Sequence, residues 1–591
     1  MTTGADALVG RLHEWGVRRI FGYAGDGVDP ILGALRRAAG AVELVTARHE
    51  EMAAFMATGH AKYTGEVGVC LATQGPGAIH LLTGLYDAKL DRKPVVAIVG
   101  QVVTTALGSG YQQEVDLPVL FKDVCGQYVQ EVRTPEQLRH VLDNAVRTAI
   151  ATSSPTCVIV PHDVQQAEVP DAAPAEHGRI TSAPVVAHPR VVPAGDDLAR
   201  AAELLTRGSR VALLVGQGAR GAADEVVRIA ERLGAGVATS LLGKPVLDES
   251  LPFHCGVMGH LGTTAATDLM RTCDTLLVVG SSDPWTEYYP QPGQARTVQI
   301  DLHARNLGAK HPVDVALAGD AAETLRALLP LVHEPAGASQ WRDRVRGMRE
   351  AWDGVVAARV SEPGEPVNPQ AVVHALTAYL PSDAQVAVDV GSVTYWYARF
   401  LRLPPGVPAH LSSTLASMGS ALPYGLAAKL ARPDRPVVCL AGDGAMQMNG
   451  LSELITVAAR WHEWADPRFV VLVLHNRDLA EVSWEQREME GEPRFPVSQD
   501  VPEFPYAQYA RLLGLRGVLL DDPARVERAW HDALAADRPC VLEAVVDPAT
   551  PLLAPRAPDE KVATMRQALD QEGAADVAAR VDRQRGQERA S

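Results

Sequence analysis

Two apolar runs end in groups that could do chemistry. Val437-Val438-Cys439-Leu440-Ala441 delivers Gly442-Asp443-Gly444, and Phe469-Val470-Val471-Leu472-Val473-Leu474 delivers His475-Asn476. Both runs have the length and composition of buried strands, so a carboxylate and an amide emerge at two strand ends. In an open parallel sheet ligands collect at that edge. Glycine lets the backbone approach a phosphate, and Asp with Asn offers oxygen ligands to a hard cation. The pattern reads as a Mg2+–diphosphate site. Thirty-one residues separate Gly444 from Asn476, room for a crossover helix over 447–460 and a turn. A second copy, Gly25-Asp26-Gly27, has no Asn at comparable spacing; it reads first as a tight turn, with Gly25 kept as a candidate cofactor contact.

Other candidates also sit at the ends of apolar runs. Arg48-His49-Glu50-Glu51 opens the helical pattern Met52-Ala53-Ala54-Phe55-Met56-Ala57, so Glu50 is either a capping carboxylate or a buried acid–base group. In Thr73-Gln74-Gly75-Pro76-Gly77-Ala78-Ile79-His80, the glycines give a tight backbone passage under a bound ring, and His80 is either a satisfied core histidine or a site residue. Asp389-Val390-Gly391-Ser392 supplies a glycine and a hydroxyl suited to a diphosphate. Met418 is a core methionine or an apolar support for a ligand, and Gly216-Gln217-Gly218-Ala219-Arg220 is a short glycine turn after a strand.

The elements that must position these residues alternate short Val/Ile/Leu runs with helix-length segments, the pattern of parallel α/β layers. Strands are expected at 19–22, 42–45, 68–71, 95–98 and 157–160, then at 211–215, 275–279 and 297–301, and finally in the two runs above. Pro/Ala-rich residues 170–195 and Pro/Gly/Glu-rich residues 361–366 read as linkers. The fold class is therefore α/β, with three doubly wound parallel-sheet domains. Residues from Asp559 onward mix Asp, Glu, Arg, Lys and Gln with Ala, and read as a solvated or frayed helical tail.

At 591 residues the chain has length for about three to four domains. Lys and Arg total 55 against 71 Asp and Glu, a net −16, which disfavours nucleic-acid or anionic-membrane partners. Seven scattered cysteines form no CxxC or Cys/His cluster, so neither zinc nor a disulfide framework is indicated. No leader-like start or long apolar run appears, and a cytoplasmic protein is expected.

Taken together, Gly442-Asp443-Gly444 with Asn476, Glu50 after Arg-His, and the Gly75 loop resemble the thiamine diphosphate (ThDP) enzymes. The resemblance runs over about residues 5–550 and is to the pyruvate oxidase and acetohydroxyacid synthase group. His80, Asp283-Pro284-Trp285, Tyr289-Pro290, Gln299-Ile300-Asp301-Leu302 and Gly319-Asp320 bring it nearest the oxidases, of the quinone-linked pyruvate dehydrogenase type. The resemblance implies a pyrimidine domain at 1–180, a Rossmann-like, FAD-type middle domain at 190–335, a diphosphate domain at 365–555 and a charged tail at 556–591. It implies that Glu50 faces the aminopyrimidine, that Met418 props the two rings, and that Gly25, Gly75, Gly391, Ser392, Gly442, Gly444 and Ala445 contact ThDP. Mg2+ would be held by Asp443, the Asn476 side chain and the Asp478 main-chain carbonyl; Gly218, Arg220 and Asp301 would contact FAD. With Glu50 and Asp443 on different domains, the resemblance further implies sites shared between subunits of a homodimer, paired into a homotetramer.

The implied reaction is cleavage of a 2-oxo acid, pyruvate being expected, through a hydroxyethyl carbanion oxidised by FAD; the alternative is carboligation, as in acetolactate-type synthases. A third reading is a ThDP-binding protein without turnover. Departures bear on the choice. Position 481 is Glu where the oxidases carry Phe, while Glu485 is kept; Gln112 replaces the aromatic residue before the active-site Gln113; His475 replaces the first Asn of an Asn-Asn doublet. The tail's few large apolar residues, Val562, Met565 and Leu569, do not form the broad apolar face of an interfacial helix, so no membrane peptide is expected.

Overall fold

The computed structural model describes residues 2–169, 180–188 and 190–590. The first linker segment, Pro170-Asp171-Ala172-Ala173-Pro174, lies outside the described residues. Eighteen strands form three six-stranded parallel sheets among the described residues. The first holds β1 (Arg19–Gly22), β2 (Glu43–Thr46), β3 (Gly68–Ala72), β4 (Val95–Gln101), β5 (Val129–Glu131) and β6 (Pro155–Pro161), in the order β2-β1-β3-β4-β6-β5. The second holds β7 (Val211–Val215), β8 (Gly236–Thr239), β9 (His254–Val257), β10 (Thr275–Val279), β11 (Arg296–Asp301) and β12 (Val315–Ala318), in the order β12-β11-β10-β7-β8-β9. The third holds β13 (Gln385–Val388), β14 (Ala409–His410), β15 (Val437–Gly442), β16 (Phe469–His475), β17 (Arg516–Leu520) and β18 (Cys540–Val545), in the order β14-β13-β15-β16-β18-β17.

The first and third sheets thus share one strand order, and the second has the Rossmann order. Their central strands are buried from end to end, because helices cover both faces of a parallel sheet. In each sheet the strand order reverses beside the first strand: between β1 and β3, between β7 and β10, and between β13 and β15. Those switch points are where the glycine-bearing turns fall.

Helix Glu50–Thr64 is apolar almost all round, since it lies between the first sheet and helix Ala421–Ala431 of the third domain. Gly59 permits the crossing: a Cβ there would stand 3.0 Å from Tyr424 and 3.1 Å from Ala427. Lys62 anchors the contact, with Nζ 2.7 Å from Asp91, 2.6 Å from the Tyr424 hydroxyl and 2.8 Å from the Leu411 carbonyl. The crossover expected over 447–460 is a π-helical turn, Met446–Gly450, followed by the α-helix Leu451–Arg460. No helix among the described residues is long and apolar enough to cross a membrane.

The C-terminal segment corrects the expectation of a solvated tail. It forms helices Asp559–Gln571 and Ala575–Ala590, and Val562, Met565, Leu569 and Val581 are buried in the core of the third domain. Its charges are paired to the body of the chain: Arg359 Nη2 lies 2.6 Å from Glu588, Arg556 Nη2 2.6 Å from Asp268, and Arg580 Nη1 2.5 Å from Asp547. The few apolar residues are enough because they fall on one helical face and the polar ones find partners. Leu569→Ala, at a fully buried position, is expected to cost about 2–5 kcal/mol of stability, measured by urea denaturation.

Candidate functional site

Three groups of side chains gather at the three switch points. At the third sheet, β13 ends in Asp389 and β15 in Gly442-Asp443-Gly444. Asp389 is buried, and its two oxygens accept from the backbone N–H groups of Val390 and Gly419 (2.9 and 2.8 Å) and of Ala421 (3.0 Å). Burial nevertheless lifts its pKa to about 6. This fixes the turn carrying Met418, whose Cε would stand 3.2 Å from a Cβ on Gly444; Leu479 Cδ2 would stand 2.7 Å away. By contrast, a Cβ on Gly391 or Gly442 would meet nothing within 4 Å, so both strand-end loops border open space. Gly391 has φ +124°, beyond the ordinary reach of a residue with a side chain, and Ser392 follows it at the start of helix Ser392–Phe400.

Asp443 is also buried, and burial pushes its pKa up to about 6 although the N–H of Arg477 donates to it at 2.6 Å. Asn476 Oδ1 accepts from the N–H of Asp478 at 3.0 Å, folding 476–478 into a turn beside Asp443. Ala445 is buried behind the Gly-Asp-Gly turn. His475, in place of the expected Asn, bonds through Nδ1 to Glu543 at 2.9 Å; burial alone would lower its pKa, but Glu543 and Asp443 raise it. Asp389 and Glu543 were missed as site residues. The available signals were an acid ending the Val386-Ala387-Val388 run and an acid inside the otherwise apolar Cys540-Val541-Leu542-Glu543-Ala544-Val545.

At the first sheet the switch point brings Gly25-Asp26-Gly27 against Thr73-Gln74-Gly75. A Cβ on Gly25 would stand 2.6 Å from Thr73, and the Gly27 N–H donates to Thr73 Oγ1 at 3.0 Å. Gly25 thus serves this close approach. Gly75 at φ +61° leaves room for Gln113, itself at φ +64°, whose Oε1 accepts from Gln74 Nε2 at 3.1 Å. Glu50 opens its helix with a buried carboxylate; Oε2 lies 3.0 Å from His80 Nδ1, and the His80 ring lies against that of His49, 4.3 Å between centroids and tilted by 31°. Gly77 passes over Oε1, where a Cβ would stand 3.2 Å away. Glu50, Gly75, Gln113 and His80 are therefore brought together. Among the described residues, no hydrogen bond or ion pair joins this group to Gly391, Met418, Asp443 or Asn476 of the same chain.

At the second sheet Gly218 and Gly280 cross so closely that a Cβ on Gly218 would stand 2.9 Å from Gly280. Beside them lies a cavity of about 240 Å³ lined by Gly218, Asp283, Asp301 and Asp320, with Arg92 and Lys93 contributed by the first domain. Lys93 Nζ donates to Gln217 at 2.8 Å; burial, then Arg220 and Lys62, press its pKa down to about 7. Arg220 follows the same turn but points elsewhere. The turn Gln217–Ala219 ends before it, and its guanidinium lies 2.9 Å from His410 Nε2, outside the cavity lining.

Glu481 and Glu485 sit one turn apart on helix Ala480–Glu485, which begins beside Gly444 and Met418 through Leu479. Burial, and then Glu485, raises the Glu481 pKa to about 7; burial raises that of Glu485. Burial, and then the charge of Glu481, pushes up the Tyr395 hydroxyl. Tyr395 contacts His260 edge to face at 6.0 Å, and His260 stacks on Trp285 at 5.5 Å, so the middle domain reaches this pocket.

Comparison with known proteins accords with this arrangement. The N-terminal TPP-binding, central and C-terminal TPP-binding domains of thiamine pyrophosphate enzymes match residues 2–119, 198–328 and 389–544. YdaP of Bacillus subtilis (strain 168), assigned as a thiamine pyrophosphate-containing protein, is 31% identical over 93% of this chain and 92% of its own length. The acetolactate synthase isozyme 2 large subunit of Escherichia coli (strain K12) is 31% identical over 92% of this chain and 95% of its own. The pyruvate oxidase of Lactiplantibacillus plantarum is 30% identical over 75% of this chain and 72% of its own. The chain belongs to the ThDP-dependent enzymes, in the group that holds both pyruvate oxidase and acetolactate synthase.

The raised pKa of Glu481 has a consequence for stability. Between about 4.5 and about 7 the folded chain holds a proton that the unfolded chain has lost, so stability falls as pH rises through that window and stays lowered above it. Glu481→Gln is therefore expected to raise Tm relative to wild type at about pH 8 and to leave it unchanged at about pH 4. Thermal unfolding at the two values checks this.

Proposed function

We propose that this enzyme cleaves a 2-oxo acid, pyruvate as donor, with ThDP and Mg2+ at the third-sheet switch point and FAD in the middle-domain cavity as electron acceptor. The observation that carries the ThDP–Mg2+ assignment is the pair of open glycine turns at Gly391 and Gly442 beside a buried Asp443. A divalent cation there would offset the cost of an ionised buried carboxylate, and Asp443, Asn476 and the Asp478 carbonyl are the hard oxygen donors it needs. Ser392, Gly444 and Ala445 would flank the diphosphate, with Met418 beneath the rings. When bound, ThDP supplies a stabilised acyl-carbanion equivalent. Glu50 holds or releases a proton at Oε1 or Oε2 toward the aminopyrimidine, Gly77 gives that carboxylate room, Gly75 does the same for Gln113, and Gln113 and His80 orient the acid substrate.

Because the Glu50 group and the Asp443 group of one chain do not meet, we propose a homodimer in which each first domain faces the third domain of the second copy, paired into a tetramer. For FAD, Asp301 and Asp320 suit ribose hydroxyls, and Arg92 with Lys93 suits a diphosphate. The cavity is slightly smaller than the about 300–1,000 Å³ of typical ligand pockets, so it fits one end of a dinucleotide.

A second reading, carboligation, is favoured by Glu481: a carboxyl with pKa near 7 can deliver a proton to an acceptor carbonyl, and its charge opposes the accumulation of negative charge needed for flavin reduction. Anaerobic pyruvate added to the purified holoenzyme tests both. Bleaching of the flavin band with acetate formed supports oxidation; unbleached flavin with acetolactate or acetoin supports ligation, and neither product overturns the choice of donor. On the oxidation reading Glu481→Phe is expected to speed bleaching and lower any acetoin, followed by stopped-flow absorbance. Glu50→Gln is expected to bind ThDP and lose activity by about a hundredfold, assayed at saturating ThDP.

A further inference from the structure

The C-terminal helices do more than cover apolar surface. Glu572, which follows helix Asp559–Gln571, accepts from Arg487 Nε and Nη2 at 2.8 Å each and from the backbone N–H of Arg494 at 2.7 Å. Arg494 in turn reaches Asp478: its Nε stands 2.9 Å from Asp478 Oδ1, the oxygen that also accepts from Ser483 Oγ at 2.8 Å. The strip around Arg494 is folded back onto the 476–478 turn by its main chain, with the Leu479 N–H donating to Gln499 at 2.9 Å and the Val501 N–H to Arg477 at 3.0 Å. The side chains of Asp478, Arg487 and Glu572 are 5%, 8% and 17% exposed, so these are charge-assisted bonds sheltered from water.

We propose that Glu572 is a positioning residue for the turn at 476–478, holding it through Arg494 in the form that presents Asn476 and the Asp478 carbonyl toward Asp443. This rests on the Mg2+ assignment above. Docking of the helices does not need Glu572, because Val562, Met565, Leu569 and Val581 are buried and Arg359–Glu588 and Arg556–Asp268 tie down the segment independently. What Glu572 adds is a connection: one carboxylate fixes both the backbone of Arg494 and the side chain of Arg487, leaving Arg494 with little freedom except toward Asp478 and Asp500.

The test compares wild type with Glu572→Ala and the milder Glu572→Gln, using hydrogen exchange of the cofactor-free protein and Mg2+ titration at fixed ThDP followed by tryptophan fluorescence. Glu572→Ala is expected to speed exchange across 477–501 and to raise the Mg2+ midpoint by about tenfold, the scale seen when groups that orient metal ligands are removed. Exchange across 559–571 should stay at the wild-type rate, and Glu572→Gln should fall between the two. The charge-swapped pair Arg487→Glu with Glu572→Arg restores the ion pair but gives the Arg494 N–H no acceptor, so it should remain slack. Unchanged exchange at 477–501, faster exchange along the C-terminal helices as well, or full recovery in the swapped pair would each overturn the proposal. Asp443→Ala is run beside them. If it leaves the Mg2+ midpoint unchanged, the cation assignment falls, while hydrogen exchange still decides whether Glu572 orders the turn.

Discussion

The rest of the third domain depends on how two buried carboxylates, Asp389 and Asp443, are satisfied at neighbouring strand ends. Their strands pair directly, Val388 beside Leu440, so both acids emerge at the same switch point. Asp389 spends both oxygens on backbone N–H groups of the Met418 turn, which makes it a structural acid despite its raised pKa. Asp443 accepts only from the first residues of its own turn and the next, and its carboxylate borders the open Gly442 loop. A buried carboxylate is costly, and beside Asp443 burial outweighs the attraction of His475, so its pKa stays raised. One acid is thus tied to the backbone of a distant turn, and the other stays beside the open loop at the same strand edge.

The same strand order in the first and third sheets puts a second glycine turn at an equivalent place, and this explains why Gly-Asp-Gly occurs twice. In the third sheet the turn opens outward. In the first it is closed by Thr73 and Gln74, so that a Cβ on Gly27 would stand only 1.4 Å from Gln74 Oε1. The two copies therefore have opposite uses, close packing against open cradle, and only the downstream Asn distinguished them in the sequence. The Rossmann order of the middle sheet fills the same geometric position with a Gly–Gly crossing and a cavity.

Much of this was legible because buried parallel strands are continuous apolar runs: β1, β7 and β10 fall residue for residue where expected, and β15 and β16 run one residue further. Strands with weaker runs escaped. β12 alternates buried and exposed residues, and β14 is only two residues long. The docked C-terminal helices were misread for a physical reason: Val562, Met565 and Leu569 carry the correct helical spacing, but the stripe is narrow, and the ion pairs that complete it reach residues far along the chain, as in Arg359–Glu588 and Arg556–Asp268. For Arg220 the glycine turn indicates where the backbone bends and not where the next side chain goes, and its guanidinium lies against His410. Asp389 was quoted for the turn it precedes, yet hydrogen bonds to backbone thirty residues on leave no local pattern.

The pocket beside Met418 shows how substitutions at separate positions can act on one site. Glu481 by itself would be an exposed polar change on a helix. Its surroundings make it otherwise, because burial and then the charge of Glu485 lift its pKa to about 7. A carboxyl at that pKa is divided between acid and base forms at neutral pH, the condition under which proton transfer in either direction is easiest. An apolar ring at the same place could transfer no proton. The charge state at 481 is thus set by burial and by Glu485 one turn on, so a substitution at either position changes the proton available beside Met418.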